Sequence, residues 1–436
     1  MKFIFSITLI IISFQSLPGQ SLGRRASWEA NIGWPNGINP GAMINSIQKG
    51  SVFEKTGVKA GDLIIQVNDR KILNQEDWSH VTYSIRAHDK TIIHLKRGNG
   101  WIKKEIILKP LEQEKHEGIN TFYESVVSDY GIRQRTIITT PNSDRKLPAI
   151  FLIQGLSCST IEQYSGRSNN WVKLINDLVE KSGMVVMRVD KPGVGDSEGD
   201  CGCTDFKTEL SGYEAAIKSL KSKTYVDTTR IVVYGNSMGS ALAPYFANTF
   251  NLAGSISDGT FYKTWYEHML EIERRILAIE GDSETTIVEK MNKYYIPLYH
   301  EMLIKKKSFE DILDEQPALK EHHRQGLNHM YGRSMEYYHQ VQDFNFAQEW
   351  EEIKVPVRIR WGTNDWIMSE FDNEMIMDVL ERKGHKDHEL YKYPNLDHWS
   401  TIHPSYSESF NFKPGKWEDY ISLQIIDWAK EIVDKK

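Results

Sequence analysis

The chain has 436 residues, of which 53 are Lys or Arg, 59 are Asp or Glu and 40% are hydrophobic, with a formal net charge of −6. This length exceeds what one hydrophobic core usually organises, so we expect a soluble protein with more than one domain. The basic residues are interspersed among more numerous acidic ones, so no nucleic-acid partner is expected.

The first twenty residues differ from the rest of the chain. Lys2 is followed by an apolar run over residues 3–14, and Pro18 then breaks the run. One positive charge, a short apolar core and a small-residue exit are typical of a secretory signal peptide, which predicts cleavage near Gly19 or Gln20 and a periplasmic or secreted protein. An uncleaved anchor is the alternative, but the run is short for a bilayer span, and no stable span is expected after cleavage.

Residues 28–111 are predicted to form a separate small β-rich domain. The stretch 50–69 contains a helix-like segment, the turn Gly61-Asp62, a strand-like run and the turn Asn68-Asp69. This order resembles the PDZ family, in which Asn-Gly usually takes the last turn, and Asp can also adopt left-handed turns. Two strands, over residues 91–96 and 102–109, complete the predicted domain.

The PDZ resemblance implies that a peptide can add as a strand at a sheet edge, with backbone amides receiving its terminal carboxylate. The carboxylate loop should precede a strand around residues 28–34, where Leu22-Gly23-Arg24-Arg25 matches the family only loosely. A peptide ligand and a fixed appendage that covers or steers a neighbouring site are both open interpretations. Residues 112–120, which are charged and lack apolar periodicity, are predicted to be a linker.

Residues 121–434 are predicted to alternate strands and helices. Residues 125–128 and 135–140 predict a hairpin, residues 148–153 a buried strand, and residues 171–179 a helix. Such alternation favours a mostly parallel sheet with helices on both faces, which is an α/β fold.

The most informative motif is Gly235-Asn236-Ser237-Met238-Gly239, which lies between the strand-like residues 230–234 and the helix-like residues 240–247. A serine on a sharp turn from strand to helix needs glycine neighbours, because side chains there would collide with the backbone. The turn lifts the serine hydroxyl toward a substrate. The motif therefore predicts that Ser237 is a nucleophile.

Two later loops carry the partners that a serine nucleophile needs. The strand-like residues 355–361 are followed by a turn ending at Asp365, and the last strand, residues 388–393, is followed by a loop ending at His398. We expect His398 to take the proton of Ser237 and Asp365 to fix the imidazole tautomer.

Asp258 is a rival acid, because it ends the predicted strand 252–257, next along the chain from the serine motif. A carboxylate at this position could reach the same imidazole. Its other interpretation, which we favour, is an aspartate that closes a turn or caps a helix.

These elements together resemble the α/β-hydrolase superfamily, particularly its serine aminopeptidase-like and lysophospholipase-like branch, over about residues 120–434. The segment 190–197, Asp-Lys-Pro-Gly-Val-Gly-Asp-Ser, is similar to the family's D-x-x-G-x-G-x-S loop after strand four, which is mainly architectural. The resemblance implies an oxyanion hole formed by the backbone N–H groups of Met238 and Leu156. Gln154-Gly155 departs from the His-Gly that the family often has at this turn.

Residues 260–348 are rich in helix formers and are predicted to be a helical cap. Four aromatic residues are candidates either to line a substrate pocket or to pack between cap helices: Trp265, Tyr294, Tyr295 and Tyr338. Glu271 and Glu273 could receive a peptide's amino terminus or be ordinary helix charges. The histidines 322, 323 and 329 lack an acidic or cysteine cluster, which favours a solvated face over a metal site.

Three cysteines lie just after two neighbouring predicted strands. Export would permit a disulfide, so we hypothesise a bridge from Cys158 to Cys201 or to Cys203, with three free thiols as the alternative. The spacing is too sparse for a zinc site.

The sequence therefore predicts an exported serine hydrolase that cleaves ester or peptide bonds through an acyl-enzyme, without a metal or organic cofactor. The alternative is a catalytically silent hydrolase-like scaffold that binds peptides through its PDZ-like domain.

Overall fold

A computed structural model describes residues 22–34, 41–163, 168–324 and 329–435. The predicted signal peptide and its cleavage site lie outside the described residues. Within the described residues, no helix is long and apolar enough to cross a membrane.

The N-terminal domain is an antiparallel sheet with two short helices. Its elements are β1 (Ala26–Ser27), β2 (Ala30–Gly33), β3 (Ala42–Ile47), α1 (Val52–Lys55), β4 (Leu63–Val67), β5 (Arg70–Lys71), α2 (Gln75–Ser84), β6 (Lys90–Arg97), β7 (Gly100–Ile107) and β8 (Lys109–Pro110). The main strands pair in the order β2-β3-β4-β6-β7, and β1 pairs with β8.

The core of this domain forms because apolar residues alternate along the strands and meet the two helices. Phe53 and Ile64 are fully buried, and Trp28 lies 4.9 Å from Trp78 of α2 between ring centroids. At the predicted Asn-Asp turn, it is Asn68 that adopts the left-handed conformation, with a φ of 49°.

The second domain is built on an eight-stranded sheet. Its strands are β9 (Ile119–Val127), β10 (Arg133–Pro141), β11 (Leu147–Ile153), β12 (Val185–Val189), β13 (Val226–Asn236), β14 (Gly254–Asp258), β17 (Val357–Gly362) and β18 (His388–Tyr393), while β15 (His329–Met330) and β16 (Arg333–Ser334) form a separate small hairpin. The order across the sheet is β18-β17-β14-β13-β11-β12-β10-β9. The six strands from β12 to β18 in this order are parallel, and β10 is antiparallel to both of its neighbours, β12 and β9, which confirms the predicted α/β-hydrolase fold.

Helices cover both faces of this sheet. They are α3 (Asn170–Lys181), α4 (Phe206–Lys221), α5 (Met238–Thr249), α6 (Trp265–Ile279), α7 (Glu284–Lys290), α8 (Ile296–Tyr299), α9 (Phe309–Glu315), α10 (Met335–Asp343), α11 (Phe346–Glu352), α12 (Glu370–Arg382), α13 (Tyr406–Phe410) and α14 (Tyr420–Asp434). Buried residues of α3 and α14 pack on one face, and those of α4, α5 and α12 pack on the other. Burial on both faces explains why residues 149–153 of β11 and residues 231–234 of β13 are continuous apolar runs.

The segment between β14 and β17 consists mainly of helices α6 to α11 and forms the cap. It also contains two π-helical turns, Met291–Tyr295 and His300–Ile304, and the 3-10 helix Pro317–His322. Its first helix begins with a capping box in which Thr264 and Glu267 satisfy each other's backbone N–H groups. The cap core is continuous with one face of the sheet.

The two domains are joined by ion pairs to the loops that follow β11 and β12. Arg24 donates to Asp196 at 2.8 Å and to Glu162 at 3.0 Å, and the Arg25 backbone N–H donates to Asp196 at 2.8 Å. The segment Leu22-Gly23-Arg24-Arg25, which matches a PDZ carboxylate loop only loosely, therefore binds carboxylates of the hydrolase domain. Arg135 bonds the same two carboxylates from the other side, at 2.7 and 2.9 Å.

The predicted linker is anchored by a buried ion pair. Glu114 is buried and accepts hydrogen bonds from Arg188, which is fully buried, and from the Gln163 backbone N–H at 2.6 Å. Burial alone would raise the pKa of the Glu114 carboxyl, but the Arg188 charge and these hydrogen bonds lower the pKa to about 2. The linker is thus fixed to strand β12.

We predict that Glu114→Ala lowers the free energy of unfolding by about 3–5 kcal/mol, because it leaves the Arg188 charge buried without its partner. The control is Glu105→Ala, whose partner Lys90 is 2.8 Å away while both side chains are more than half exposed. That change should cost no more than about 1 kcal/mol. Urea unfolding of the three proteins measures the difference, and equal losses for both variants would contradict the prediction.

Candidate active site

Ser237 lies on a strained turn between β13 and α5. Its φ is 56° and its ψ is −126°, a combination that residues other than glycine rarely adopt. The flanking glycines are required by close packing, because a Cβ at Gly239 would lie 2.1 Å from the Ile153 carbonyl oxygen and one at Gly235 would lie 2.1 Å from the Gly239 carbonyl oxygen. The turn therefore has the geometry that the sequence motif predicts.

Three predicted site residues form one hydrogen-bonded chain. His398 Nε2 is 2.9 Å from Ser237 Oγ, and His398 Nδ1 is 2.8 Å from Asp365 Oδ2. The other oxygen, Asp365 Oδ1, accepts the backbone N–H groups of Ile367 at 2.9 Å and Met368 at 2.8 Å. The carboxylate is thus held by its own turn, and it orients the imidazole toward the serine.

The charge of Asp365 controls the protonation of His398. Burial by itself lowers the pKa of the His398 imidazole, but the negative charge of Asp365 and its hydrogen bond outweigh burial, so the pKa lies above the ordinary histidine value. A raised pKa makes the imidazole a better acceptor for a serine proton.

Asp258 is neither the acid that contacts His398 nor a turn or cap residue. Its two oxygens accept hydrogen bonds from Arg360 at 2.8 and 2.6 Å, and Tyr234 donates to it at 3.0 Å. It is therefore a buried ion-pair partner of the next strand, and the interpretation as a turn or cap residue is wrong. The reason is that Arg360 lies on β17, directly beside the end of β14, a pairing that no local pattern reveals.

Two residues outside the sequence motifs shape the loops that carry the acid and the base. Asp397 accepts the backbone N–H groups of Trp399 at 2.9 Å and Thr401 at 2.8 Å, which folds the loop around His398. Arg275 of cap helix α6 donates to the carbonyl oxygens of Trp366 at 2.9 Å and Ile367 at 2.6 Å. The second contact ties the cap to the acid turn, and a long-range contact of this kind leaves no sequence signal.

The loop after β11 is braced by a disulfide. Cys158 is bonded to Cys201, with Cα atoms 5.9 Å apart, while Cys203 is a free thiol. This outcome selects one of the two predicted bridges. The bridge links the loop that contains Leu156 to the end of the 190–199 loop.

A cavity of 630 Å³ opens above Ser237. Both predicted oxyanion residues, Leu156 and Met238, lie in its wall together with Ser237 and His398. Its mouth includes Trp399 and Phe412, which are 40% and 73% exposed. Among the described residues that line the cavity, none is Asp, Glu, Lys or Arg.

Of the four candidate aromatic residues of the cap, only Trp265 is in the described wall of this cavity. Three other cap residues with aromatic rings, Phe261, His268 and Tyr331, also lie in that wall. Tyr338 is buried and donates to the Met330 carbonyl oxygen, so its role is packing. His322 is half-buried and stacks on Tyr294 with ring centroids 3.6 Å apart.

The two candidate cap glutamates are both engaged elsewhere. Glu271 pairs with Lys263 and lies 3.6 Å from Arg275. Glu273 accepts from Tyr299 at 2.7 Å and from Arg324 at 3.0 Å, and it is buried. Neither lies in the described cavity wall.

The sheet order, the serine turn and the helical cap define an α/β-hydrolase. A family model described as serine aminopeptidase, S33, matches residues 162–402, and a PDZ domain model matches residues 43–96. The first match covers more than half of the chain, so this protein belongs to the serine aminopeptidase S33 family of hydrolases and carries an N-terminal PDZ domain. A search of curated proteins found none that matches the chain.

Solved structures with a similar fold include esterases. The esterase Pf2001 of Pyrococcus furiosus has a TM-score of 0.45 and 14% identity, with 74% of this chain and 96% of that chain covered. Acetyl xylan esterase 1 from Thermoanaerobacterium sp. JW/SL YS485 has a TM-score of 0.43 and 14% identity, with 74% and 86% covered. Est1E from Butyrivibrio proteoclasticus has a TM-score of 0.45 and 15% identity, with 72% and 98% covered. Similarity this low says nothing about what this protein acts on.

We predict that His398 titrates with a midpoint above the ordinary value of about 6.5. In Asp365→Asn, burial is no longer opposed by the carboxylate, so the midpoint should fall below that value. NMR of the imidazole protons during a pH titration measures both midpoints. The same midpoint in the two proteins would contradict the electrostatic role of Asp365.

Proposed function

We propose that this protein is a serine hydrolase that cleaves carboxylic esters with an uncharged group in its active-site cavity. The observation that carries the proposal is the continuous chain of hydrogen bonds from Asp365 through His398 to Ser237, on a turn that exposes the serine to the cavity. A silent scaffold has no physical need for this alignment.

The proposed reaction begins when Ser237 Oγ attacks the ester carbonyl carbon while His398 Nε2 takes the serine proton. The tetrahedral intermediate collapses, and His398 gives this proton to the leaving alkoxide, which departs as an alcohol. Water then attacks the acyl-enzyme carbonyl carbon while His398 takes a proton from the water, and His398 returns this proton to Ser237 Oγ as the acyl–oxygen bond breaks and the acid product leaves. Asp365 stabilises the imidazolium in both steps.

The developing oxyanion needs donors that are fixed before the reaction starts. We assign this role to the backbone N–H groups of Met238, which opens helix α5 directly after the nucleophile, and of Leu156 in the loop after β11. Their residues lie together in the wall of the cavity that holds Ser237, which supports the assignment.

The absence of charged residues in the described cavity wall favours an ester over a peptide with a free amino terminus. An ammonium group buried there would have no carboxylate partner, since Glu271 and Glu273 are paired within the cap. Burying an unpaired charge is costly, whereas an acyl chain or aromatic group would be stabilised by the apolar and aromatic wall.

An exported location is part of the proposal. The disulfide between Cys158 and Cys201 supports it, because such bonds persist in oxidising compartments. For the PDZ domain we propose a peptide that adds as a strand beside β2, because β2 is an edge strand of its sheet.

We predict that Ser237→Ala lowers kcat for a p-nitrophenyl ester by about 10⁴-fold or more, because the nucleophile is lost. A fluorophosphonate probe should label the wild-type protein at Ser237, as located by peptide mass mapping, and should not label this variant. Ser159→Ala is the matched control, since Ser159 is exposed in the wall of the same cavity. Turnover by Ser237→Ala that equals wild-type turnover would rule out the mechanism.

A second prediction compares two esters that have the same leaving group but differ in the charge of the acyl group. The p-nitrophenyl ester of N-acetyl-leucine should have a kcat/KM at least about 10²-fold higher than the same ester of leucine with a free amino group, because an unpaired buried charge costs several kcal/mol. Initial rates must be taken at a pH at which the amine is protonated. Equal values would contradict an uncharged substrate class and would favour an aminopeptidase.

A further inference from the structure

Two buried cations contact successive carbonyl oxygens of the loop after β11. The Lys191 ammonium donates a hydrogen bond to the Gly155 carbonyl oxygen, and Arg333 Nη1 lies 3.3 Å from the Leu156 carbonyl oxygen. Both side chains are fully buried. They reach the loop from different directions, since Lys191 follows β12 and Arg333 belongs to β16 in the cap.

A single carboxylate joins the two cations. Glu209 of helix α4 is buried, with Oε1 3.3 Å from Lys191 Nζ and Oε2 2.5 Å from Arg333 Nη2. The sheet, the cap and helix α4 therefore meet at one ionic cluster, which we call the loop clamp (Lys191, Glu209 and Arg333). Burial lowers the pKa of Lys191 to about 8, and the Glu209 charge opposes this shift.

The loop clamp fixes the direction of the neighbouring backbone N–H group. In a trans peptide the carbonyl oxygen and the following N–H lie in one plane and point in opposite directions. The contact from Lys191 to the Gly155 carbonyl oxygen therefore sets the side on which the Leu156 N–H lies.

This peptide lies directly against the nucleophile. A Cβ placed on Gly155 would be 2.8 Å from Ser237 Cβ and 3.3 Å from Ser237 Oγ. The absence of a side chain at Gly155 is thus what lets the 155–156 peptide approach the serine. A cation on the carbonyl oxygen also polarises the peptide, which strengthens its N–H as a donor.

We propose that Lys191 and Arg333, joined by Glu209, are positioning residues that hold two successive peptides, 155–156 by Lys191 and 156–157 by Arg333, so that the Leu156 N–H faces the oxyanion formed at Ser237. The inference rests on the proposed function. It explains why three charged side chains are buried together, since a buried ion cluster by itself adds little to stability. It also gives the cap a role in orienting the oxyanion loop through Arg333.

The test compares Lys191→Met, which removes the donor, with Lys191→Gln, which keeps a neutral donor of similar reach. Arg358→Met is the matched control, because Arg358 is a buried arginine paired with Asp387 at 2.8 Å and Glu431 at 2.9 Å, and neither of these partners belongs to the loop. Each variant is assayed with an ester and with the matching thionoester, whose sulfur accepts hydrogen bonds more weakly than oxygen.

Loss of the clamp should lower kcat for the ester by about 10²-fold with little change in KM, as expected for a donor used only in the transition state. The ratio of ester to thionoester turnover should fall together with kcat. Lys191→Gln should keep a higher kcat and a higher ratio than Lys191→Met. Arg358→Met should lose stability while its ester preference stays at the wild-type value. An unchanged preference in both Lys191 variants would overturn the proposal.

Hydrogen exchange separates failure of this inference from failure of the proposed function. In Lys191→Met the peptide covering residues 154–158 should exchange faster than in Arg358→Met, whether or not the protein hydrolyses esters. Equal exchange would overturn the loop clamp. Wild-type protein without Ser237-dependent turnover would overturn the proposed function alone. If Lys191→Met does not fold, Lys191→Gln and Arg333→Lys provide the same comparison.

Discussion

The structure of the site depends on one close approach, between the serine turn and the end of strand β11. Gly239 packs against the Ile153 carbonyl oxygen so tightly that a Cβ would lie 2.1 Å away, and Gly155 packs against Ser237 in the same region. Strands β11 and β13 are hydrogen-bonded neighbours, so their carboxyl ends emerge side by side. The nucleophile and the loop that faces it are therefore placed together by the sheet itself.

The loop after β11 is held in place mainly by buried charged side chains from other parts of the chain. The loop after β11 is held at Gly155 by Lys191, at Leu156 by Arg333, at Cys158 by the disulfide and at Glu162 by Arg24 and Arg135. Each of these partners comes from a different part of the chain. Ion pairs of this kind add little net stability, but they specify one arrangement, because any other would leave a charge buried and unpaired.

The cap is integrated into the site in the same way. Arg275 holds the turn that carries Asp365, and Arg333 holds the loop that carries Leu156, so two cap arginines contact the two loops on either side of Ser237. The N-terminal domain is tied in through Arg24 and through the Glu114–Arg188 pair of the linker. These contacts make the cap and the linker fixed parts of the hydrolase domain.

The α/β-hydrolase fold and the PDZ domain could be predicted from the sequence, and so could the candidates Ser237, Asp365 and His398, which the structure brings into one hydrogen-bonded chain. These features are local: a glycine-flanked serine between strand and helix, and polar residues directly after apolar strands, are visible in short windows of sequence. Three contacts could be seen only in the folded structure: the pairing of Asp258 with Arg360, the choice of Cys201 as the partner of Cys158, and the hydrogen bond from Lys191 to the Gly155 carbonyl. Such contacts join residues distant along the chain, and a buried charge chooses its partner by the packing of the whole domain.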